Sequence, residues 1–157
     1  MGTDPLATLA QALPAEGASL SAGRDMPILQ LAPERLLEVV RLLKLQHGFD
    51  MLSDLTAIDW LGQTPRFEVV WHLYGTDHHR RLRIKTRVTE TDPTVDSLVG
   101  IHGAARFMER ECHDMYGIRF RGNEDLRPIL LYEGFEGHPL RKDYPIDREQ
   151  PLVALRE

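Results

Sequence analysis

The sequence predicts an α+β fold: one domain with a mostly antiparallel sheet and helices on one face, followed by an extended C-terminal tail. Three observations carry this. Residues 67–74 and 80–89 alternate apolar and polar positions with the period of a strand, and Gly75-Thr76-Asp77-His78-His79 between them has the composition of a hairpin turn. Residues 33–47 and 104–116 instead place apolar residues at helical spacing, and each run stops at a glycine. From residue 123 onward, single large apolar residues alternate with charges, glycines and prolines, so no face is continuously apolar and the segment cannot form a core alone.

The bulk properties narrow the function classes. A chain of 157 residues is the length of one domain and long enough to bury a core. Residues 1–78 hold 5 Lys/Arg against 10 Asp/Glu, whereas residues 79–157 hold 14 of each. A charge-dense but balanced C-terminal half suits a salt-bridged protein interface better than a nucleic-acid surface, which needs net positive charge. One cysteine, Cys112, excludes an internal disulfide and fits a reducing compartment. No apolar run approaches the ~20 residues of a membrane span. Met1–Pro5 lacks the basic start of a signal peptide, and Leu6 stands where a myristoylation signal needs a hydroxyl.

Taken in order, residues 1–25 form an N-terminal helix and loop. The helix covers 3–13, with Asp4 as cap, Pro5 in the first turn and Pro14 ending it; residues 15–25 are a loop or an edge strand. Residues 26–122 are the α+β core. Met26–Leu31 is a short strand. The helix Pro33–His47 turns Leu36, Leu37, Val40, Leu42 and Leu43 inward, with acids early and Arg41 and Lys44 late, as its dipole prefers. A strand within Phe49–Leu61 leads to a turn at 62–65. On the next strand Phe67, Val69, Trp71 and Leu73 share a face; on the following one Leu82, Ile84 and Val88 point in while Arg81, Arg83, Lys85 and Arg87 point out. A polar loop, a short helix over Val95–Ile101 and the helix Ala104–Tyr116 complete the core. Residues 123–157 are an extended partner-docking tail.

The candidate chemistry is weaker than the architecture. The basic row Arg81/Arg83/Lys85/Arg87 reads as a solvated or partner-facing side of a sheet, since no aromatic residues interleave as a single-strand binder needs. His78 and His79 are adjacent and point apart, and no Cys-x-x-Cys or His-Glu-x-x-His spacing exists, so no metal ligand set is assigned. One cysteine cannot hold an iron–sulfur cluster. Cys112 and His113 diverge by about 100° on a helix and do not form a nucleophile pair. Met108, Cys112 and Met115 fall on one stripe, the usual core face. Arg110 and Asp114 are spaced for an ion pair within the helix, which leaves Glu109 and Glu111 seeking basic partners elsewhere. Gly134-Phe135-Glu136-Gly137 lacks the strand and helix context of a phosphate loop. These residues describe an interaction subunit. A free-standing hydrolase or redox enzyme using Cys112 and His113 is the competing reading.

One stretch resembles the signature of a known family. It comprises Glu109-Arg110-Glu111, Asp114-Met115-Tyr116-Gly117, Asp125-Leu126-Arg127-Pro128-Ile129-Leu130 and Gly134-Phe135-Glu136-Gly137-His138-Pro139-Leu140-Arg141-Lys142-Asp143-Tyr144-Pro145. It is similar to the 30-kilodalton-type subunit of respiratory complex I, the proton-translocating NADH:quinone oxidoreductase; weaker likeness extends over residues 26–145. The resemblance implies an α+β subunit of the peripheral arm, on the cytoplasmic face of the inner membrane. It implies no catalytic centre, flavin or iron–sulfur cluster in this chain: FMN and the clusters reside in partner subunits, and quinone is the substrate of the whole complex. It implies contact with the quinone-site subunit and nearness to the cluster-bearing subunits. The same fold serves related membrane-bound hydrogenases and ferredoxin-linked complexes, which is the alternative assignment. Together these readings make the tail a clamp on the quinone-site subunit, anchored by Leu126, Ile129, Leu130, Phe135, Leu140 and Tyr144. The expected interface residues are Glu109, Glu111, Arg127, Glu136, His138, Arg141, Lys142 and Asp143.

Overall fold

A computed structural model describes residues 10–14 and 16–150. Of the helix expected over 3–13, residues 10–12 are helical, and the remainder up to residue 9, with its Asp4 cap, lies outside the described residues. The elements that follow are β1 (Ala18–Ser21), β2 (Ile28–Leu31), a 3₁₀ turn (Pro33–Arg35) running into α1 (Leu36–His47), β3 (Met51–Asp59), β4 (Phe67–Gly75), β5 (Arg80–Val88), β6 (Thr94–Asp96), α2 (Ala105–Tyr116) and β7 (Arg119–Arg121).

The main sheet has the order β1-β2-β5-β4-β3. All its pairings are antiparallel except β2 with β5. Register follows the apolar alternation: Phe67 lies opposite Val88, Trp71 opposite Ile84 and Leu73 opposite Leu82, all buried. A slip of one residue would turn every one of these side chains to the other face. Thr86 also sits on the buried face, where its hydroxyl donates to the Leu31 carbonyl at 2.6 Å and removes the cost of burying it. The basic residues of β5 lie on the opposite side and are largely paired there. Lys85 donates to Glu68 at 3.0 Å, and Arg83 is held by Asp25 at 2.9 Å and His72 at 2.8 Å.

Helix α1 buries Leu36, Val39, Val40 and Leu43. Val39 takes a place expected for Leu37 and Leu42, which are only half-covered. The helix ends at Gly48 with φ +69°, and the His78 imidazole donates from Nε2 to the terminal His47 carbonyl at 2.9 Å. His79 meets the Tyr74 hydroxyl instead, so the two adjacent histidines do separate structural jobs.

The short helix expected over Val95–Ile101 does not form. Residues 94–96 are strand β6, paired in parallel with β7, a strand that the sequence reading missed. Val95 lies opposite Phe120, both buried, and the Ser97 amide continues the pairing to the Arg121 carbonyl at 2.8 Å. A helix beginning at Val95 would forfeit that buried pair.

Candidate partner-docking site

Helix α2 organises everything after residue 90. The last four carbonyls of a helix have no partner within it and must find one elsewhere. Here the His113 carbonyl accepts from the Gly117 amide at 2.7 Å, and the next three are served by the tail. The Asp114 carbonyl accepts from His138 Nδ1 at 2.9 Å, the Met115 carbonyl from the Leu140 amide at 3.1 Å, and the Tyr116 carbonyl from Arg141 Nε at 2.6 Å. Residues 138–141 are therefore the end cap of α2. Gly117 permits this twice over: its φ is +74°, and a Cβ there would lie 2.5 Å from both Arg141 Nη2 and His138 Nε2.

One turn earlier, α2 grips residues 127–131. Asp114 Oδ2 accepts the amides of Ile129 at 2.8 Å, Leu130 at 2.9 Å and Leu131 at 3.3 Å. Arg110 donates to the carbonyls of Arg127 at 2.9 Å and Pro128 at 2.8 Å. The intrahelical Arg110–Asp114 pair expected from their spacing is thus replaced. The guanidinium takes the segment's carbonyls and the carboxylate takes its amides.

Glu109 is corrected as an interface residue. It is 0% exposed, and its carboxylate accepts from Ser97 Oγ at 2.7 Å, the Leu98 amide at 2.8 Å and Asn123 Nδ2 at 2.9 Å. Burial holds its carboxyl above the usual range, an effect these three donors only partly offset. It joins the approach to α2 and the start of the tail to the helix.

A third anchor lies at the edge of the sheet. Arg66, buried, makes a two-toothed contact with Asp59 at 2.8 Å and also reaches Asp143 at 2.8 Å and Glu90 at 2.6 Å. The Lys142 amide donates to Asp59 at 2.8 Å. Hydrogen bonding from Arg66 holds both Asp59 and Asp143 below the usual carboxylate range. The guanidinium groups of Arg66 and Arg141 lie 4.9 and 5.0 Å from the centre of the buried Phe67 ring. Arg141 and Asp143, expected to face a partner, are therefore engaged with this chain's own core. Among the other expected interface residues, Arg127 pairs with Asp125 at 2.8 Å, Glu136 pairs with Arg148 at 2.7 Å, and His138 is half-buried. Glu111 and Lys142 are exposed and make no salt bridge among the described residues.

The tail is tied inward by its backbone; Leu126, Leu131, Phe135 and Tyr144 are half-buried, while a row of other apolar side chains faces out. Among the described residues, five of the nine large apolar side chains that stand exposed belong to residues 129–146, namely Ile129, Leu130, Tyr132, Leu140 and Ile146, and Leu130 is 62% exposed. Phe107, one helical turn before Arg110, is exposed as well. Nothing comparable favours catalysis. Cys112 is buried, burial raises its thiol far above the usual range, and His113 Nδ1 is committed to the Ile118 carbonyl at 2.8 Å. The stripe expected to be core is only partly so, since Met108 and Met115 are half-buried around Cys112. Among the described residues no cluster of three or more His, Cys, Asp or Glu could hold a metal, and no helix is long and apolar enough to cross a membrane.

The family model described as respiratory-chain NADH dehydrogenase, 30 Kd subunit, matches residues 29–150. The chain belongs to this family. It is 44% identical over 142 residues to the NADH-quinone oxidoreductase C 2 subunit of Rhizobium etli, covering 86% of this chain and 75% of that one. A solved trypsin-resistant fragment (1–134) of Nqo5 superposes with a TM-score of 0.68 at 29% identity, covering 78% of this chain and all of the fragment. A chain of an archaeal membrane-bound sulfane sulfur reductase shares the fold, with a TM-score of 0.77 at 24% identity over 89% of this chain and 83% of that one. Membership makes the chain a subunit of a respiratory NADH dehydrogenase, an oxidoreductase complex of electron transport.

Proposed function

We propose that this chain is a structural subunit, without a cofactor of its own, in the peripheral arm of a proton-translocating NADH:quinone oxidoreductase on the cytoplasmic face of the inner membrane. In this reading its 127–146 segment docks the quinone-site subunit and helps hold that subunit in register with the cluster-bearing ones. Electron transfer from NADH to quinone then depends on it for position; FMN, clusters and quinone are bound by the partners.

The supporting observation is the outward apolar row on a backbone fixed from behind by Asp114, Arg110, Arg141 and Asp143. A rigid segment that exposes several large apolar side chains together marks a protein contact. Arg127, Glu136 and Lys142 are exposed along the same segment as Leu130, Tyr132 and Leu140, which fits the polar rim that such contacts carry. The name of the Rhizobium relative favours a quinone-reducing complex over a hydrogenase or a ferredoxin-linked one.

The test is complementation. In a strain lacking the chromosomal copy, the double variant Ile129→Asp/Leu130→Asp is expected to leave membranes short of NADH:quinone reductase activity, while the purified variant unfolds at the same denaturant concentration as the unmodified chain. Full activity in those membranes would overturn the reading.

A further inference from the structure

The main sheet has two edges, and the chain treats them differently. The β3 edge is blunted. A bulge interrupts its pairing between Leu52 and Asp54, and the tail crosses it at Asp59, whose carboxylate takes the Lys142 amide at 2.8 Å. β1 forms the other edge. There the run Gly17-Ala18-Ser19-Leu20-Ser21-Ala22-Gly23 holds no charge and no proline, the residues that normally stop an edge from pairing. Its unpaired backbone groups can be assigned. The Ala32 amide donates to the Gly17 carbonyl at 2.7 Å, so Gly17, Ser19 and Ser21 turn their backbone groups toward β2. Ala18 and Leu20 turn theirs outward, where no backbone hydrogen bond reaches them among the described residues. A row of donors and acceptors in this geometry is a template for one more strand.

The residues of this edge identify the strand. Residues 17–23 read the same in both directions about Leu20, and the flanking Glu16 and Arg24 carry opposite charges. Both are exposed, and neither makes a salt bridge among the described residues. We infer that the free chain pairs with a second copy of itself, β1 antiparallel to β1, about a two-fold axis through Leu20. In that register Leu20 bonds the second copy's Leu20 and Ala18 meets the second copy's Ala22, so outward backbone groups meet outward groups. Ser19 lies opposite the second copy's Ser21, with no bulk to hold the strands apart. Glu16 lies opposite the second copy's Arg24, twice over by symmetry, a match that any other register loses. The contact is isologous and closes at two copies, because the blunted β3 edges offer no further strand site. It covers one short strand, far less than the about 1,600 Å² of a standard interface, so the pairing is reversible, with a Kd on the order of 100 μM. It lies at the opposite edge of the sheet from the tail and does not rest on the docking reading.

Sedimentation equilibrium of the purified full chain, at concentrations on both sides of that Kd, tests it. A monomer–dimer equilibrium is expected. The variant Ser19→Lys/Ser21→Lys sets like charges opposite each other across the axis and should leave the chain folded and monomeric. Glu16→Arg and Arg24→Glu should each raise the Kd by about threefold to tenfold. The double variant Glu16→Arg/Arg24→Glu should return it to the unmodified value, because both pairs re-form with their signs exchanged. Should the lysine variant not fold, these reversals at two exposed side chains still decide. A chain that stays monomeric up to about 1 mM overturns the inference. So does a dimer whose Kd is the same in the lysine variant, or one in which the double reversal is no tighter than the single ones. A dimer abolished by Leu130→Asp and untouched by the lysine variant lies on the tail; it overturns this inference and leaves the docking reading standing.

Discussion

The carboxylate of Asp114 and the amide of Leu130 are 2.9 Å apart, and that bond fixes which way the Leu130 side chain faces. The same oxygen holds the amides of Ile129 and Leu131, so three successive backbone donors point into the protein and the exposed side chains of Ile129 and Leu130 are left outside. Asp114→Ala should cost about 2–4 kcal/mol, because three donors lose a charged acceptor together. Asp114→Asn should cost less, since one acceptor oxygen remains. Amide exchange at residues 129–131, together with a urea titration, would show this as faster exchange confined to the segment in the Asn variant.

Gly117→Ala addresses the cap on α2. The added methyl meets Arg141 and His138 at 2.5 Å, and alanine is strained at φ +74°. A loss of about 1–3 kcal/mol is expected. The informative measurement is limited proteolysis: cleavage should rise within residues 134–144, while the sheet keeps its resistance. Unchanged cleavage there would mean that the cap is dispensable.

The Arg66 cluster gives stability a defined pH dependence. Asp59 and Asp143 titrate below their ordinary value of 3.8 because Arg66 donates to both. Their contribution is therefore complete above about pH 4 and is lost as pH falls through the depressed folded values. Glu109 has the opposite sign. Its folded value is raised, so its contribution is present at low pH and lost as pH rises through that value. Arg66→Met should cost about 3–5 kcal/mol at pH 7 by leaving Asp59 buried and unpaired. It should also reduce the loss of stability below pH 4, leaving the part due to Asp25, Asp50, Asp92 and Asp125, which denaturant titrations over that range would read.

Much of this arrangement is legible in the sequence, and the part that is not has physical reasons. β5 was readable because one face is buried, so the period-two pattern is uninterrupted from Leu82 to Val88; β4 was readable from Phe67, Val69, Trp71 and Leu73 although Glu68 and Val70 on its other face are buried too. β6 and β7 have three residues each, too few to show a period, and Val95-Asp96-Ser97-Leu98 fits a helix equally well until Phe120 is known to lie opposite Val95. At the site, Arg110 and Asp114 invited a local pairing because spacing on a helix is visible in sequence, whereas partners 15 to 18 residues away are not. Glu109 looked like a surface charge because acids on helices usually are. The sign of its burial was nearby, in Ser97 and Asn123, two small donors flanking the helix, but only the fold brings them to one carboxylate. Arg141 and Asp143 were expected to reach a partner, and they bond to this chain's own Tyr116 carbonyl and Arg66. Their charges face inward and hold the apolar row from behind.

Cys112 supplies a control for the absence of thiol chemistry. Because burial raises its thiol, an alkylating reagent at pH 8 should react with the native chain far more slowly than with the urea-unfolded chain. Cys112→Ala should cost about 1 kcal/mol and leave quinone reductase activity of the assembled complex unchanged. A fully assembled but inactive complex carrying this variant would revive the thiol as a functional group.

The central claim is that residues 129–140 present the docking face. It is tested most directly by measuring how much of this chain remains with the quinone-site subunit when that subunit is affinity-purified from detergent-solubilised membranes. The same drastic change is made at two exposed leucines: Leu130→Asp on the tail and Leu45→Asp on α1, where the side chain is 75% exposed. Docking through the tail predicts at least a tenfold loss of the chain for Leu130→Asp, the effect of removing one central apolar contact worth about 1.4 kcal/mol or more, and full retention for Leu45→Asp. Full retention of Leu130→Asp together with loss of Leu45→Asp would place the partner on the helix face of α1 and contradict the claim.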